Sequence, residues 1–159
     1  MKDIYEILRS LNISYEKHDH PAVFTVEEAE KFDIRFKAGV TKNLFLRDKK
    51  KQHYFLVIME GKKRLDLEKI SGKLGAGRLS FASPVDLNTI LQITPGSVSP
   101  FCLIHESSRK VQVVVEENLL RNDRVGFHPN ENTATLLISS NDFKRFLEWT
   151  GNRFQILPL

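Results

Sequence analysis

Thr41-Lys42-Asn43-Leu44-Phe45-Leu46 begins an apolar segment, and a lysine and an asparagine lie directly before its apolar residues. The chain passes through a charged turn at 47–51 and returns as a second apolar segment at 53–59. Two β-rich segments joined by a short polar loop predict a β-hairpin. Lys42 then lies where the first strand leaves a loop, with its stem packed on the sheet and its amine placed to meet an anionic or carbonyl-bearing ligand. The alternative is an ordinary solvated lysine at a strand start.

Length and composition set the class of protein. A chain of 159 residues predicts one domain with a substantial core. Its hydrophobic content of 41% and charged content of 28% are typical of a globular protein in water. No apolar run approaches the ~20 residues of a membrane span, and the N-terminus lacks a signal-peptide pattern. We therefore expect no membrane partner and a cytoplasmic location, which the single cysteine, Cys102, also fits.

The charge balance favours a polyanionic partner without proving one. The net charge is +4, and Lys and Arg occur in short clusters. Most such clusters are solvated turns, so each is only a candidate for phosphate contact. The clusters are Lys49-Lys50-Lys51, Lys62-Lys63-Arg64, Arg109-Lys110, Arg121 with Arg124, and Lys144-Arg145.

Periodicity and capping residues predict the elements. Helices are expected at 2–11, from the capping-box pair Thr25 and Glu28 to about residue 36, after Asp66, after Ser83-Pro84, and from a cap at Ser140 to Trp149. Besides the hairpin, strands are expected around 15–18 and at 79–82, 101–104, 111–115, 125–128 and 133–138. Strands that come both in neighbouring pairs and separated by helices argue for one α+β domain, residues 1–159, on a mixed sheet.

The loop Gly96-Ser97-Val98-Ser99-Pro100 is a candidate binding segment. Its glycine allows close approach of a ligand, and its proline stiffens the chain. Successive free N–H groups in such a loop can bind a carbonyl oxygen or a developing oxyanion. A tight turn with a structural role only is the alternative.

A second candidate follows the strand at 125–128. His128 stands at the end of this strand, and Asn130 and Asn132 add amides in the following loop. A histidine in such a place can donate, accept or shuttle a proton near neutral pH. A hydrogen-bonded turn explains the same residues equally well.

Three further patterns are weaker. The glycines of 72–77 lack the spacing of a nucleotide-binding loop and are better explained by a helix C-cap and a turn. His18 and His20 point the same way on a strand, but no third ligand stands at a recognisable spacing, so no metal is expected. Cys102 and His105 would face opposite sides of a strand, so a buried, unreactive cysteine is favoured over a nucleophile.

Taken in order, the separate candidates resemble a known family. Thr41–Asp48, Pro95–Phe101, Phe127–Pro129 and Asn132–Thr135 together are similar to the prolyl-tRNA editing family, the YbaK/prolyl-tRNA-synthetase-associated domain. The freestanding Ala-tRNA(Pro) deacylase branch is the nearest in pattern, and 24–29 and 79–83 also match it. After the loop this chain has Phe101-Cys102 and His105-Glu106, where the family more often has a glycine and then an Asn-Asp pair.

The resemblance implies a fold and a reaction. The fold would be a single α+β domain with a curved, mostly antiparallel mixed sheet flanked by helices. The reaction would be hydrolysis of the ester between a wrong amino acid and the 3′ end of tRNA, with no metal, cofactor or covalent intermediate. The acceptor end of tRNA(Pro) would be the partner, with prolyl-tRNA synthetase as a further candidate.

Site residues carried over by the resemblance are Lys42 and His128 as catalytic residues and Asn43, Gly96, Ser97, Val98, Ser99, Pro100 and Asn132 as substrate-binding residues. The general base is left open between His128 and the ribose hydroxyl of the tRNA itself. Two other functions are compatible with the same residues. One is a deacylase for a different mischarged tRNA, such as Cys-tRNA(Pro) or Ser-tRNA. The other is a tRNA-binding module without catalysis.

Overall fold

The structure, a computed structural model, describes residues 3–20 and 41–159. The expected helix that begins at Thr25 lies outside these residues. In chain order the helices are α1 (Ile4–Ser10), α2 (Leu67–Leu74), α3 (Pro84–Asp86, continued by a π-helical turn at Leu87–Leu91) and α4 (Ser140–Thr150). The strands are β1 (Glu16–Asp19), β2 (Thr41–Asp48), β3 (Tyr54–Glu60), β4 (Leu79–Phe81), β5 (Val111–Glu116), β6 (Arg124–Phe127), β7 (Ala134–Ser139) and β8 (Phe154–Leu157).

These strands form two sheets in the described residues. One has the order β1-β7-β6 and is antiparallel throughout. The other has the order β4-β2-β3-β5-β8, in which β2 pairs antiparallel with β3 and β4, while β3-β5 and β5-β8 are parallel. The predicted α+β class with mostly antiparallel pairing is therefore confirmed. The division into two sheets is a detail that the prediction of one sheet did not contain.

The β2–β3 hairpin forms as predicted, and its turn shows why. Asp48 accepts hydrogen bonds from the backbone N–H groups of Gln52 and His53, at 2.8 and 3.1 Å. Alternate residues of β2 then enter different cores. Phe45 joins the larger cluster, which both sheets share with α1 and α4, whereas Leu44 and Leu46 pack in a smaller cluster with Ile70 of α2.

Capping residues set most helix ends as predicted. Asp66 accepts from the N–H groups of Glu68 and Lys69 at the start of α2, and Gly75 ends it in the left-handed conformation. Ser83 and Asp86 form a capping box at α3. At α4 the prediction was off by one residue: Ser139 is the N-cap, accepting from Asp142 N at 3.0 Å, while the Ser140 hydroxyl donates to the carbonyl of Asn122.

The predicted strand at 101–104 is wrong. Residues Pro100–Ile104 form a 3₁₀ helix whose first N–H, that of Phe101, is capped by the Ser99 hydroxyl at 3.0 Å. Every residue of this helix is buried, so the sequence shows no alternation of apolar and polar residues that could distinguish a strand from a helix. Two more 3₁₀ helices occupy Glu106–Ser108 and Glu117–Arg121.

None of the helices within residues 3–20 and 41–159 is both long enough and apolar enough to cross a membrane.

Candidate functional site

The start of β2 is fixed against the end of β6. The Thr41 hydroxyl donates to the carbonyl of Gly126 at 2.7 Å, although 85 residues separate them. Because side chains alternate along a strand, Thr41 and Asn43 face the core that both sheets share, and Lys42 faces the side of α2. Neighbouring side chains at the start of β2 therefore lie on opposite faces of the sheet, with Asn43 toward the shared core and Lys42 toward α2.

The Lys42 ammonium is half-buried and anchored. It donates to the backbone carbonyl of Lys63, in the segment between β3 and α2, at 2.7 Å. An ammonium carries three donors, and the residues that the structure describes use only this one. Lys42 pairs in register with Met59, which lines an adjacent cavity of about 350 Å³. The cations that line this cavity are Lys63, Arg64, Lys69 and Lys73.

Asn43 carries an unused acceptor on the other face. Its Oδ1 is buried and accepts no hydrogen bond from the described part of the chain. Leaving a buried polar atom unpaired costs about 1–3 kcal/mol. A ligand donor that reached this oxygen would recover that free energy.

The loop before the first 3₁₀ helix has the conformation that its sequence requires. Gly96 adopts φ +92°, in the region that favours glycine. Ser97 donates its N–H to Thr94 O at 3.3 Å, but Val98 and Ser99 donate theirs to no acceptor within residues 3–20 and 41–159. Pro100, like Ser97 and Ser99, is buried. The loop thus holds two successive backbone donors that no described residue accepts from.

His128 directly follows β6, and one of its ring nitrogens is hydrogen-bonded within the protein. Its Nδ1 lies 3.0 Å from the carbonyl of Ala134, and since a carbonyl only accepts, Nδ1 carries the hydrogen. Nε2 is then the basic nitrogen. Burial is the main cause that lowers the pKa of His128, and the neighbouring His20 acts in the same direction, so the imidazole is neutral near pH 7.

Asn130 ties the two candidate loops together. Its side-chain amide donates to Phe101 O at 3.2 Å, and its Oδ1 lies 3.4 Å from the sulfur of Cys102. Asn130 adopts φ +64°, a conformation that asparagine tolerates better than most residues. Asn132, by contrast, lies half-buried in the turn before β7. The segments 96–102 and 126–130 and the start of β2 are therefore neighbours, while the Lys42 ammonium reaches toward the Lys63 segment.

The sequence did not predict the contacts of two residues near this site, His20 and Asn130. His20 Nε2 lies 2.8 Å from the Thr135 hydroxyl, and its ring centroid is 6.0 Å from that of His128. Pairing of β1 with β7 brings them together, which no local pattern could indicate. Asn130 was noted only as a loop amide. Within the described ranges no group of three or more His, Cys, Asp or Glu side chains is arranged to hold a metal ion.

Cys102 is a buried thiol. It is 0% exposed, and burial raises its pKa to about 12. A thiol in this state is not a nucleophile near neutral pH, because the thiolate is the reactive form.

Solved structures share this α+β fold. A crystal structure of a protein described only as hypothetical matches with a TM-score of 0.76 at 19% identity, covering 96% of this chain and 97% of that one. A candidate trans-editing enzyme for prolyl tRNA synthetase matches with a TM-score of 0.67 at 23% identity, covering 91% and 87%. These likenesses establish the fold alone, that of a small α+β domain.

Sequence comparison gives the family. The aminoacyl-tRNA editing domain family matches residues 20–146. The prolyl-tRNA editing protein ProX of Acetoanaerobium sticklandii is 38% identical over 152 residues, covering 96% of this chain and 93% of the relative. A prolyl-tRNA synthetase associated domain-containing protein 1 of Danio rerio is also 38% identical, covering 98% of this chain and 85% of the relative. The chain belongs to the aminoacyl-tRNA editing domain family.

Proposed function

We propose that residues 1–159 form one editing domain that deacylates mischarged tRNA(Pro), with Ala-tRNA(Pro) as its substrate. Membership of the editing-domain family and the resemblance to a prolyl-tRNA editing protein support the hydrolytic reaction on tRNA. The observation that carries the proposal is that three neighbouring segments hold polar groups without a hydrogen-bond partner among residues 3–20 and 41–159. These groups are the N–H donors of Val98 and Ser99, the Asn43 oxygen and the basic nitrogen of His128.

The 96–100 loop supplies the oxyanion donors. An aminoacyl ester is already activated, so the protein mainly has to hold it, polarise its carbonyl and admit water. The N–H groups of Val98 and Ser99 would bind the carbonyl oxygen as it gains charge. In other hydrolases, removal of one such donor costs about 3–4 kcal/mol in the barrier.

Lys42 supplies positive charge to the tRNA end. Its other N–H donors, on the α2 side of the sheet, would bind the phosphate of the terminal nucleotide. Arg64, Lys69 and Lys73 of the adjacent cavity extend this positive surface, so the phosphates of the acceptor stem would follow it. Binding through phosphates makes affinity depend on salt and leaves base selection to other contacts.

Asn43, Asn132 and His128 shape the pocket for the amino acid. The unpaired Asn43 oxygen suits the α-ammonium group of the aminoacyl moiety, because an ammonium supplies only donors. His128, neutral and with its basic Nε2 not bonded by the described residues, can accept a proton from water, and the ribose hydroxyl of the tRNA is the alternative base. Selection is steric: a pocket sized for alanine excludes the proline ring, as in other editing sites that hydrolyse only what is small enough to enter.

Prolyl-tRNA synthetase is proposed as a partner that presents the tRNA. The names of the Danio rerio relative and of the trans-editing structure both refer to this synthetase. Co-sedimentation of the purified chain with the synthetase and tRNA(Pro) tests this contact.

A deacylation assay with four substrates in parallel tests the function. The substrates are tRNA(Pro) charged with alanine, cysteine, serine or proline. We expect fast hydrolysis of the alanyl ester and no hydrolysis of the prolyl ester above the spontaneous rate. Preference for the cysteinyl or seryl ester would replace the proposed substrate, and salt-sensitive tRNA binding without cleavage of any ester would show a binding module instead.

A further inference from the structure

Glu116, the last residue of β5, has a buried carboxylate that the proposed reaction does not use. It is 0% exposed. An ionised carboxylate in this position is costly unless opposite charge and hydrogen bonds compensate it. Both are present: Oε1 accepts from the backbone N–H of Glu60 at 2.8 Å, and Oε2 accepts from the Lys63 ammonium.

The two groups that Glu116 binds are the two ends of one tight turn. Glu60 and Lys63 bound the turn, which is closed by a hydrogen bond from Lys63 N to Glu60 O at 3.2 Å. The carboxylate therefore holds the backbone at the beginning of the turn and the side chain at its end. The Lys63 ammonium also donates to Leu159 O at 3.2 Å, which adds a further restraint.

The carbonyl of Lys63 is the acceptor that anchors Lys42, at 2.7 Å. Its position depends on the turn, and the turn depends on Glu116. We propose that Glu116 is a positioning residue for Lys42: by fixing the Glu60–Lys63 turn from β5, it sets the place of the carbonyl that holds the Lys42 ammonium. The inference rests on the proposed function only in assigning Lys42 a contact with substrate.

Glu116→Gln is the sharpest substitution. The glutamine keeps an oxygen for Glu60 N but loses the charge and places an amide against the Lys63 ammonium. We expect the single-turnover rate on Ala-tRNA(Pro) to fall about 10- to 100-fold, the size of effect that a small misplacement of a reacting group causes. Glu16→Gln is the matched control, because it also removes charged contacts, those of Glu16 with Arg124 at 2.6 Å and with His18 at 3.3 Å, but on the mostly exposed strand β1.

A double-mutant cycle separates positioning from a purely structural role. If Glu116 acts through Lys42, Glu116→Gln causes less than about a twofold further loss in a Lys42→Ala protein, since interacting sites are not additive. An equal loss in both backgrounds would overturn the proposal. If Lys42→Ala alone is fully active, the role assigned to Lys42 in the reaction is wrong. The positioning role of Glu116 is then decided by the chemical reactivity of the Lys42 amine.

The reactivity of the Lys42 amine toward an acylating reagent is measured by peptide mass spectrometry, with the exposed Lys50 as the internal reference. We expect Lys42 to react faster, relative to Lys50, in folded Glu116→Gln than in the wild type. Unchanged Lys42 reactivity in a folded variant would contradict the proposal. Glu116→Asp, which keeps the charge but is one methylene too short to reach both ends of the turn, serves in the same measurements where the glutamine variant does not fold.

Discussion

At the scale of single residues, the structure separates groups that are free to act from groups that are already engaged. Lys42 has one donor on a backbone carbonyl, and His128 has one nitrogen on Ala134 O. The other N–H groups of Lys42 and the Nε2 atom of His128 have no hydrogen-bond partner among the described residues and could bind a ligand. Cys102, with a pKa raised to about 12 by burial, has no such group.

The pKa of His128 predicts a dependence of stability on pH. Burial lowers it below the ordinary value of 6.5, so on acidification the unfolded chain binds a proton at this residue before the folded chain does. The stability contributed by the neutral imidazole is full above about pH 6.5 and is lost as the pH falls toward the folded pKa. We expect the free energy of unfolding in urea to fall less between about pH 7 and pH 5.5 for His128→Gln than for the wild type. The same fall in both proteins would contradict the burial argument.

The state of Cys102 predicts that catalysis needs no thiol. Cys102→Ala should keep deacylation within about twofold of the wild type, while losing about 1 kcal/mol of stability through the small cavity it leaves. Iodoacetamide near pH 8 should neither label nor inactivate the folded wild-type protein. Rapid inactivation coupled to labelling of Cys102 would point to a covalent mechanism instead.

At the scale of elements, the candidate site depends on loops that short, capped elements hold in place. The 96–100 loop is fixed by the 3₁₀ helix that follows it, and Asn130 binds the same helix from the other candidate loop. The conformation of Gly96 sets the direction in which the N–H groups of Val98 and Ser99 point.

Gly96→Ala tests the loop. A side chain at φ +92° costs about 1–2 kcal/mol or forces the loop to change conformation. We expect the rate of deacylation to fall by at least tenfold at a temperature where the protein stays folded, because the oxyanion donors move. Gly77→Ala is the control, since a Cβ there would meet no atom within 4 Å. Parent activity in a folded Gly96→Ala protein would exclude the loop as the donor site.

Sequence reasoning succeeded where local chemistry determines structure. The β2–β3 hairpin follows from its two β-rich segments and the charged turn between them, and α2 follows from Asp66 at one end and Gly75 at the other. It failed at 101–104, because a uniformly buried apolar run has no period, and it missed β8, whose parallel pairing with β5 is a long-range contact.

The sequence singled out candidate site residues, whose roles stay a prediction, but not the contacts that connect them. Lys42, Gly96 and His128 were each identified from local patterns and family resemblance. The partners of Lys42 and His128 are the backbone carbonyls of Lys63 and Ala134, and a carbonyl leaves no signal in the side-chain sequence. The links made by Asn130 and by Glu116 depend on tertiary structure in the same way.

At the scale of the whole molecule, several basic residues are already committed within the protein. Arg124 pairs with Glu16 at 2.6 Å, Arg145 pairs with Asp142 at 2.8 Å, and Lys63 pairs with Glu116. The surface next to Lys42 carries the exposed Arg64, Lys69 and Lys73 around one cavity, and of these Lys73 donates one hydrogen bond to the carbonyl of Pro158. We therefore expect tRNA phosphates on this side of the five-stranded sheet.

Arg64→Gln tests that orientation. It should weaken tRNA binding similarly for different tRNA sequences and reduce the slope of log affinity against log salt by about 1. Lys50→Gln is the control, because the 49–51 turn lies at the other end of β2, roughly 20 Å from Lys42 at the rise per residue of a strand. Equal effects of the two substitutions on the salt slope would show that only the net charge of the protein matters, and not the position of Arg64.

The most direct measurement is single-turnover hydrolysis of Ala-tRNA(Pro) and Pro-tRNA(Pro) by the wild type and by Lys42→Ala. We predict that the wild type cleaves only the alanyl ester and that the variant, still folded by circular dichroism, is slower by about 100-fold or more. Hydrolysis of the alanyl ester by Lys42→Ala at the wild-type rate would contradict the account.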